Sequence, residues 1–336
     1  MLLALGCWAV SVSPLIAAPV ALQSVNMVWR SLTPEGLSGI TYAGGERFYA
    51  IDDSGATLYP MKIRFDLSTG AIETNICHKG IVLIGDDLEG VAYDPVNDTV
   101  YTSDETGATI REHALSGSLL STVPVPANLK AYRNNFSLES LSLSADALTL
   151  WTCNEEALAN VALGINDGSL STTNLGSVVR LTRFSRANVN AQWTASGQWA
   201  YQTDPIRGNP YKGYERSGVS DLCALPDGTL LVLEREFSVN QFASFKSRIY
   251  RVALEDTTDV SAITSLEGSS YKPIEKTLLW DENTLMANFE GLCLGPRLHD
   301  GSRSVVLISD GDSNAAKALY ALKLSGLEPC AADYSD

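Results

Sequence analysis

Basic residues and histidine are both scarce in this chain. Its 336 residues include 24 Lys and Arg against 39 Asp and Glu, which gives a formal net charge of −15 at pH 7. A surface this acidic repels phosphate backbones, so nucleic acid is excluded as the main partner. The 3 His residues are too few and too scattered to form a metal centre built from several histidines.

Cysteine is also sparse, and the 6 residues form no Cys-x-x-Cys pair. That absence argues against zinc ribbons and against thioredoxin-like redox chemistry. Cys223 and Cys293 occupy equivalent positions in the repeat described below, among other small residues, and are predicted to be buried core residues. If one disulfide forms, the pairing that we expect joins Cys77 to Cys330.

Beyond its first residues the chain has no long apolar run. Residues 1–24 carry no charged side chain, and the apolar stretch Leu2–Ile16 is followed by small residues, which is typical of a secretory signal peptide. A buried first strand or a membrane anchor is the alternative interpretation. We expect a signal peptide over 1–22, a single domain over 23–328 and a C-terminal tail over 329–336. The protein is then periplasmic or secreted, a monomer, and without a membrane span.

What the chain does have is an internal repeat. Each copy begins with an apolar residue, then a polar or acidic one, then a small one. A short apolar stretch follows, and a turn leads from it to a second apolar strand that ends in acidic residues. The five copies begin at Leu37-Ser38-Gly39, Leu88-Glu89-Gly90, Leu138-Glu139-Ser140, Val219-Ser220-Asp221 and Phe289-Glu290-Gly291. Turn sequences such as Asp94-Pro95-Val96-Asn97-Asp98 separate the two strands, and further strand-like runs follow each copy.

About four strands per repeat, without a convincing helical period, predict an all-β propeller with four-stranded blades. The visible copies indicate five blades, or six if the longer stretch 157–217 hides a degenerate one. Ser24–Leu32 is a strand-like run without a place in any copy, and Ala318–Leu324 is the last strand. We therefore expect an N-terminal strand to complete the final blade and close the ring, which leaves no open edge.

The repeat also aligns acidic residues. The first strands of propeller blades line a common channel, so equivalent positions should converge on one axis. One such column reads Ser38, Glu89, Glu139, Ser220, Glu290, and a second reads Asp52, Asp104, Asn154, Glu234, Asp310. Converging carboxylates need a cation, arginine partners or shared protons, and an all-oxygen ligand set favours Ca²⁺ or Mg²⁺. Alternatively, the Glu side chains staple neighbouring blades, and the Asp side chains cap turns.

Several familiar catalytic motifs are missing. The sequence has no G-x-S-x-G nucleophile elbow, no glycine-rich phosphate loop, and histidines only in predicted outer strands or turns. Metal-activated water is then the simplest hydrolytic route. Arg133, Arg216 and Arg235 stand near the acids and would either bind an anionic substrate or pair with those acids.

Several blocks of the chain resemble a known family. They are Asp87-Leu88-Glu89-Gly90-Val91, Asn154-Glu155-Glu156-Ala157, Thr203-Asp204-Pro205-Ile206, Gly218-Val219-Ser220-Asp221-Leu222, Leu233-Glu234-Arg235-Glu236 and Asn288-Phe289-Glu290-Gly291-Leu292. Together they look like the bacterial phytase-like group, often labelled "esterase-like activity of phytase", over roughly residues 35–325. The resemblance implies an exported β-propeller with ester or phosphoester hydrolase activity. It also implies, by analogy with propeller phytases, Ca²⁺ held by acids.

Combining the repeat with this resemblance gives a set of expected roles. The expected Ca²⁺ ligands, with Mg²⁺ as the alternative ion, are Glu89, Glu139, Glu234 and Glu290. Glu155 or Asp104 would orient water, and Arg133 with Arg235 would bind a small anionic or ester substrate. Ser38 and Ser220 interrupt the Glu column, which argues against a complete symmetric ring of ligands. The alternative function is a non-catalytic propeller that binds a small ligand, a glycan or a partner protein on its loop face.

Overall fold

The chain forms a ring of five β-sheets, which confirms the predicted all-β propeller. The computed structural model describes residues 19–133, 136–207, 214–239, 243–311 and 315–327. Each sheet is a blade of four antiparallel strands, and the first blade carries one additional short strand. Blades are numbered here from 1 to 5 along the chain.

The strands follow one another blade by blade. The chain begins with β1 (Ala21–Trp29), which belongs to the last blade. Blade 1 contains β2 (Leu37–Tyr42), β3 (Arg47–Asp52), β4 (Thr57–Asp66), β5 (Ala71–Cys77) and the short β6 (Ile81–Val82). Blade 2 contains β7 (Leu88–Asp94), β8 (Thr99–Asp104), β9 (Thr109–Ala114) and β10 (Leu119–Val123).

The third blade is interrupted by a small hairpin. Blade 3 contains β11 (Ser142–Leu143), β12 (Thr149–Thr152), β15 (Val178–Ser185) and β16 (Thr194–Gln202), and the hairpin is β13 (Ala159–Asn160) with β14 (Ile165–Asn166). Blade 4 contains β17 (Tyr214–Ala224), β18 (Leu230–Val239), β19 (Ala243–Val252) and β20 (Lys276–Leu285). Blade 5 contains β21 (Phe289–Arg297), β22 (Arg303–Ser309) and β23 (Ala318–Ser325), and β1 is its fourth strand. Single turns of 3₁₀ helix cover Ala127–Lys130 and Val161–Leu163.

The two ends of the chain meet in blade 5. Strand β1 pairs antiparallel with β23, from Ala21 opposite Ser325 to Trp29 opposite Ala318. The N-terminal strand therefore closes the ring, as predicted, and occupies an edge that would otherwise expose unpaired backbone groups. Cys330 and residues 1–18 of the predicted signal peptide lie outside the described residues. Among the described residues, no helix is long and apolar enough to span a membrane.

The five blades confirm the count indicated by the repeat, and the alternative of a sixth blade within 157–217 is wrong. The described part of that stretch holds the β13–β14 hairpin, the outer strands β15 and β16 of blade 3, and the start of β17. The repeat is long there because an insertion separates β12 from β15 within one blade. A second insertion, between β19 and β20, lengthens blade 4 in the same way.

The hydrophobic core is divided among the blade interfaces. Within the described residues, each of the five interfaces has its own cluster of buried apolar side chains, for example Leu231 of blade 4 against Phe289 and Leu307 of blade 5. Both faces of an inner strand are covered by neighbouring blades, so β7 and β8 are buried along their whole length. Cys223 and Cys293 are buried in these interfaces, as predicted.

Around the axis the inner strands approach so closely that some positions have no room for a side chain. A Cβ added to Gly90 would lie 2.5 Å from the backbone nitrogen of Leu141, and one on Gly39 would lie 2.5 Å from the carbonyl oxygen of Glu89. These glycines directly follow the polar column of the repeat. The close packing fixes where the column residues sit relative to one another.

Candidate active site

In four of the five blades, one position of the inner strand lies at a break in the strand register. Strands β2 and β3, β7 and β8, β17 and β18, and β21 and β22 all shift register at the residues of the first column: Ser38, Glu89, Ser220 and Glu290. A β-bulge leaves its extra residue out of the ladder and re-aims that side chain. In blade 3 the equivalent residue, Glu139, lies just before β11, and its N–H donates to the Cys153 carbonyl at 3.2 Å.

The column divides into two chemical roles. Ser38 donates a hydrogen bond to the Leu88 carbonyl at 2.8 Å, and Ser220 donates to the Phe289 carbonyl at 3.3 Å, so both serines join adjacent blades. The three glutamates instead line one cavity of about 280 Å³ at the axis. The structure therefore brings Glu89, Glu139 and Glu290 together, as the repeat predicted.

A second set of residues reaches the same cavity from the second strand of a blade or from just beyond its end. These residues are Asp53, Glu105, Glu155 and Arg235. In blades 1 to 3 the backbone N–H of this residue donates, at 2.9 to 3.0 Å, to the carbonyl two residues before the first-column residue, namely Gly36, Asp87 and Ser137. The repeated contact places equivalent side chains over the axis in successive blades. Asp310 of blade 5 also lines the cavity.

The cavity holds far more negative than positive charge. Its lining includes seven carboxyl groups and two guanidinium groups, with Phe136 and Phe237 at one side. Burial, together with the neighbouring carboxylates, raises the pKa of Glu89 and that of Glu139 well above the ordinary value for Glu. Burial also raises the pKa of Glu105 and that of Glu290 to about 8, although Arg235 opposes the change at Glu290.

Arg235 is the central cation of the site. Its Nη2 atom lies 3.0 Å from Glu155 Oε1 and 3.5 Å from Glu290 Oε1, so it connects a carboxylate of blade 3 to one of blade 5. Burial alone would lower the pKa of Arg235, but Glu290, Glu155 and the other glutamates outweigh it and raise that pKa. Gly218, opposite Arg235 across the strand pair, makes the contact feasible. A Cβ there would lie 2.7 Å from Glu155 Cγ.

Arg216 forms the second cationic group at the rim. Its Nη2 lies 2.7 Å from Glu156 Oε2, and its Cζ lies 3.7 Å from the centre of the Phe136 ring. Burial, followed by the charge of Glu155, raises the pKa of Glu156 to about 7 despite this ion pair. Both cavity arginines are thus already paired with carboxylates.

Two overlapping groups of acids have the spacing of metal ligands. Asp87, Glu89 and Glu105 offer oxygen atoms that all lie within 4.8 Å of one another, and so do Glu105, Glu139 and Glu155. Glu105 belongs to both groups. Glu89 is 8% exposed and faces the cavity, and no donor in the described parts of the chain forms a hydrogen bond or ion pair with its carboxylate. Such a carboxylate, in an all-oxygen set, fits a hard cation such as Ca²⁺ or Mg²⁺.

Three residues expected at the site lie elsewhere. Glu234 accepts from the Tyr201 hydroxyl at 2.6 Å and from the Asp204 N–H at 3.0 Å, and it pairs with Lys276 at 2.6 Å. Asp104 pairs with Arg111 and accepts the turn N–H of Thr106. Adjacent residues of a strand face opposite sides, so Glu234 and Asp104 point away from the cavity that Arg235 and Glu105 line.

Arg133 is also occupied away from the cavity. Its Nε donates to the Ala157 carbonyl at 2.9 Å, and its Nη2 donates to the Gly168 carbonyl at 2.6 Å. Of the expected set, the structure therefore assembles Glu89, Glu139, Glu290, Glu155 and Arg235 and leaves out Glu234, Asp104 and Arg133.

Several lining residues were not predicted from the sequence. Asp53 and Glu105 directly follow Asp52 and Asp104 in the repeat, and it is the second member of each acidic pair, not the first, that lines the cavity. Asp52 accepts the N–H groups of Gly55 and Thr57 instead, which makes it a turn cap. Nothing in the repeat distinguished Phe136 and Phe237.

The chain matches a known protein family. The family described as "Phytase-like: Esterase-like activity of phytase" matches residues 33–313. No curated protein matches. Among solved structures, the WD40 beta propeller domain of Doa1 is similar at 8% sequence identity, over 90% of this chain and 96% of that one, with a TM-score of 0.37. Because the family match covers most of the chain, the protein belongs to the phytase-like family.

Proposed function

We propose that the protein is a Ca²⁺-dependent hydrolase of esters or phosphoesters, with its site in the axial cavity. The observation that carries the proposal is the convergence of seven carboxyl groups from separate blades on one cavity that contains only two guanidinium groups among the described residues. Burying so many acids together is unfavourable unless cations or protons offset their repulsion. Membership of the phytase-like family supports an esterase-like or phosphatase-like reaction.

The ligands that we assign differ from those expected from sequence. The two groups that share Glu105 provide five carboxylates: Asp87, Glu89, Glu105, Glu139 and Glu155. Bound Ca²⁺ would polarise an ester or phosphoryl oxygen and lower the pKa of a water molecule. Two such ions would offset most of the cavity's negative charge, which an anionic substrate would otherwise meet.

The remaining residues either position other side chains or act on the water and the leaving group. Arg235 contacts Glu155 and Glu290 through the same nitrogen atom, at 3.0 and 3.5 Å, so it fixes one carboxylate relative to the other. We assign Glu155 to orient the attacking water. We assign Glu290, which also accepts from Asn288 Nδ2 at 2.8 Å, to deliver a proton to the leaving group. Export through the N-terminal segment remains part of the same proposal.

The proposal can be tested with the purified protein. Bound metal is measured by mass spectrometry, and hydrolysis of p-nitrophenyl acetate and bis-p-nitrophenyl phosphate is followed with and without EDTA. We expect activity that EDTA removes and Ca²⁺ restores, and that falls at least about 100-fold in Glu105→Gln and Glu139→Gln. Glu73→Gln is the matched control, because Glu73 is half exposed and pairs with Arg64 on blade 1.

Two results would contradict the proposal. Activity that is indifferent to both EDTA and Glu105→Gln would place the chemistry outside this cavity. Intact substrates together with no bound metal would instead favour a non-catalytic propeller that binds a ligand or a partner.

A further inference from the structure

One wall of the cavity is aromatic, although the rest is acidic. Phe136 and Phe237 line it together with Arg216 and Arg235. Neither phenylalanine belongs to the acidic columns of the repeat, and neither has a part in the hydrolysis proposed above. The wall therefore calls for a separate explanation.

The register of blade 4 explains how this wall is built. Phe237 lies opposite Arg216 across the β17–β18 pair, and Arg235 lies opposite Gly218. Residues two apart on a strand share a face, so Arg235 and Phe237 point the same way, toward the cavity. Strands β17 and β18 have 11 and 10 residues, against 7 and 6 for the equivalent β7 and β8. This additional length carries Phe237 beyond the level of Arg235.

Phe136 precedes the inner strand of blade 3 and is held by a side chain of the adjacent blade 4. The Arg216 guanidinium stacks over its ring at 3.7 Å, and Glu156 holds that guanidinium in place. The flanking residues are anchored as well, because the Ser137 N–H donates to Glu105 Oε1 at 2.8 Å and Arg133 holds two backbone carbonyls of blade 3. Arg133 is thus a positioning residue for the segment that carries Phe136.

The charges of the cavity restrict what this wall can accept. No lysine lines the cavity among the described residues, and Arg216 and Arg235 are already paired with Glu156, Glu155 and Glu290. Even with the two proposed Ca²⁺ ions bound, seven carboxyl groups against two guanidinium groups leave no net positive charge to receive a substrate with several phosphate groups. Phenylalanine rings, in contrast, favour a flat apolar group that stacks or packs edge-on against them.

We infer that the substrate combines at most one acidic group, directed at the Ca²⁺ that the carboxylates would hold, with an aromatic or similarly flat apolar group held by Phe136 and Phe237. This inference rests on the proposed function, since it names the substrate class of the same site. It separates the protein from enzymes that act on polyphosphorylated sugars. It also gives a reason for the additional length of strands β17 and β18 in blade 4.

Binding of small anionic probes tests the inference separately from turnover. Phenylphosphonate and methylphosphonate, which contain no ester bond, and fructose 1,6-bisphosphate, whose integrity is checked by ³¹P NMR after the titration, are titrated calorimetrically into the full chain at saturating Ca²⁺. We expect phenylphosphonate to bind about 10-fold or more tightly than either of the other two, as burial of an aryl ring predicts. Phe136→Leu and Phe237→Leu should each remove most of that preference while methylphosphonate affinity stays within about twofold. Trp29→Leu is the control, because Trp29 is 49% exposed on β1 of blade 5.

The outcomes divide cleanly. Equal affinity for the phenyl and methyl probes, tighter binding of the bisphosphate, no binding of any probe, or a preference unchanged in both Phe variants would overturn the inference. Hydrolysis of p-nitrophenyl acetate that depends on Ca²⁺ would leave the proposed function standing in each case. An aryl preference in a protein that hydrolyses nothing would support the inference on the binding site and contradict the catalytic proposal.

Discussion

The same five inner strands carry opposite chemistry at two levels of the axis. At the cavity they present Glu89, Glu139 and Glu290. Three residues further along each copy of the repeat, the column contains only small side chains: Thr41, Ala92, Ser142, Cys223 and Cys293. At this second level the strands pack so closely that a space of only about 30 Å³ remains between them. The ring is therefore tightly packed on one level and electrostatically strained on the next.

The contacts between blades at the level of the small side chains explain how the fold tolerates the repulsion among the cavity acids. The Tyr93 N–H donates to Thr41 Oγ1 at 3.1 Å, and the Ala224 N–H donates to Ser142 Oγ at 2.9 Å, so small polar side chains join neighbouring blades. Such contacts hold the blades in place while the acids above repel one another. Stability and the proposed function are thus separated along the axis, and strained sites commonly depend on such support.

A comparison of two buried acids sharpens the distinction. Asp221 accepts the Leu222 N–H at 2.8 Å and the Leu292 N–H at 2.6 Å, so its carboxyl group joins blade 4 to blade 5. Glu89 is similarly buried but has no such donor among the described residues and faces the cavity. The stapling role considered for the Glu column therefore belongs to Asp221 and to the serines of the column.

The largest expected effect is a dependence of stability on pH without added cation. Glu105 and Glu290 have a pKa of about 8 in the fold, well above that of an unfolded Glu. Between pH 6.5 and 8 the unfolded chain has released these protons and the folded chain still binds them, so the free energy of unfolding falls as pH rises. Each such group contributes about 1.4 kcal/mol per pH unit while the difference persists. Thermal unfolding in EDTA at pH 6.5, 7.25 and 8 measures this trend.

The range from pH 6.5 to 8 excludes groups whose titration would make the protein more stable as pH rises. Burial lowers the pKa of His113, which removes stability only as pH falls below about 6.5. Ca²⁺ should raise the melting temperature more at pH 8 than at pH 6.5, because it binds the ionised carboxylates. A melting temperature in EDTA that is constant or rises across this window would show that the cavity acids are not strained.

The second prediction concerns the packed inner strands. Gly90→Ala would place a Cβ 2.5 Å from the backbone nitrogen of Leu141 and 2.6 Å from Ser103 Oγ. The backbone cannot yield without moving two blades, so we expect a loss of about 3 kcal/mol in the free energy of unfolding in urea. Gly45→Ala is the control, since Gly45 has a positive φ of 61° but no atom within 4 Å of its added Cβ, and it should lose about 1 kcal/mol. Equal losses would mean that the inner strands are not in close contact.

The third prediction separates a stapling acid from a metal-binding one. Asp221→Ala removes the acceptor for the Leu222 and Leu292 N–H groups and leaves both buried, which should cost about 2 kcal/mol of stability. The increase in melting temperature caused by Ca²⁺ should remain as in the unaltered protein, because Asp221 does not line the cavity. Loss of the Ca²⁺ effect at unchanged stability would reverse the assignment.

Much of this arrangement followed from the sequence, because a repeat needs only periodicity to be recognised. The blades, the ring closed by the first strand, and the convergence of Glu89, Glu139 and Glu290 were all predicted from aligned positions. Which member of an acidic pair faces the axis could not be predicted in the same way. Glu105 and Asp104 are adjacent, so a shift of one residue in the strand register would exchange which of the two faces the cavity and which lies at the turn.

The contacts that join distant parts of the chain were also not predictable. Arg133 holds the carbonyls of Ala157 and Gly168, which lie in the insertion of blade 3, and no local pattern indicates that pairing. The bulges that turn the column toward the axis are register shifts between two strands, so they depend on the partner strand as much as on the residues themselves. Phe237 depends on the length of blade 4, which only the structure gives.

The smallest expected effect is on the folded protein without metal. In Glu139→Gln the neutral amide replaces a carboxyl group whose pKa is raised well above its ordinary value by burial and by Glu89. The unaltered protein must keep that group protonated, or bear its charge, at pH 8, whereas the unfolded chain ionises it freely. The variant avoids this penalty, so in EDTA at pH 8 it should be more stable by about 1 kcal/mol, with little difference at pH 5.

The same variant should lose most of the stabilisation by Ca²⁺, because Glu139 belongs to one of the two groups of acids that have the spacing of metal ligands. Unfolding in urea at both pH values, with EDTA and with Ca²⁺, measures the two effects in one preparation. Gain of stability with loss of Ca²⁺ response is the combination expected of a residue kept for function at the expense of the fold. A variant less stable than the unaltered protein at pH 8 would instead make Glu139 a structural staple like Asp221.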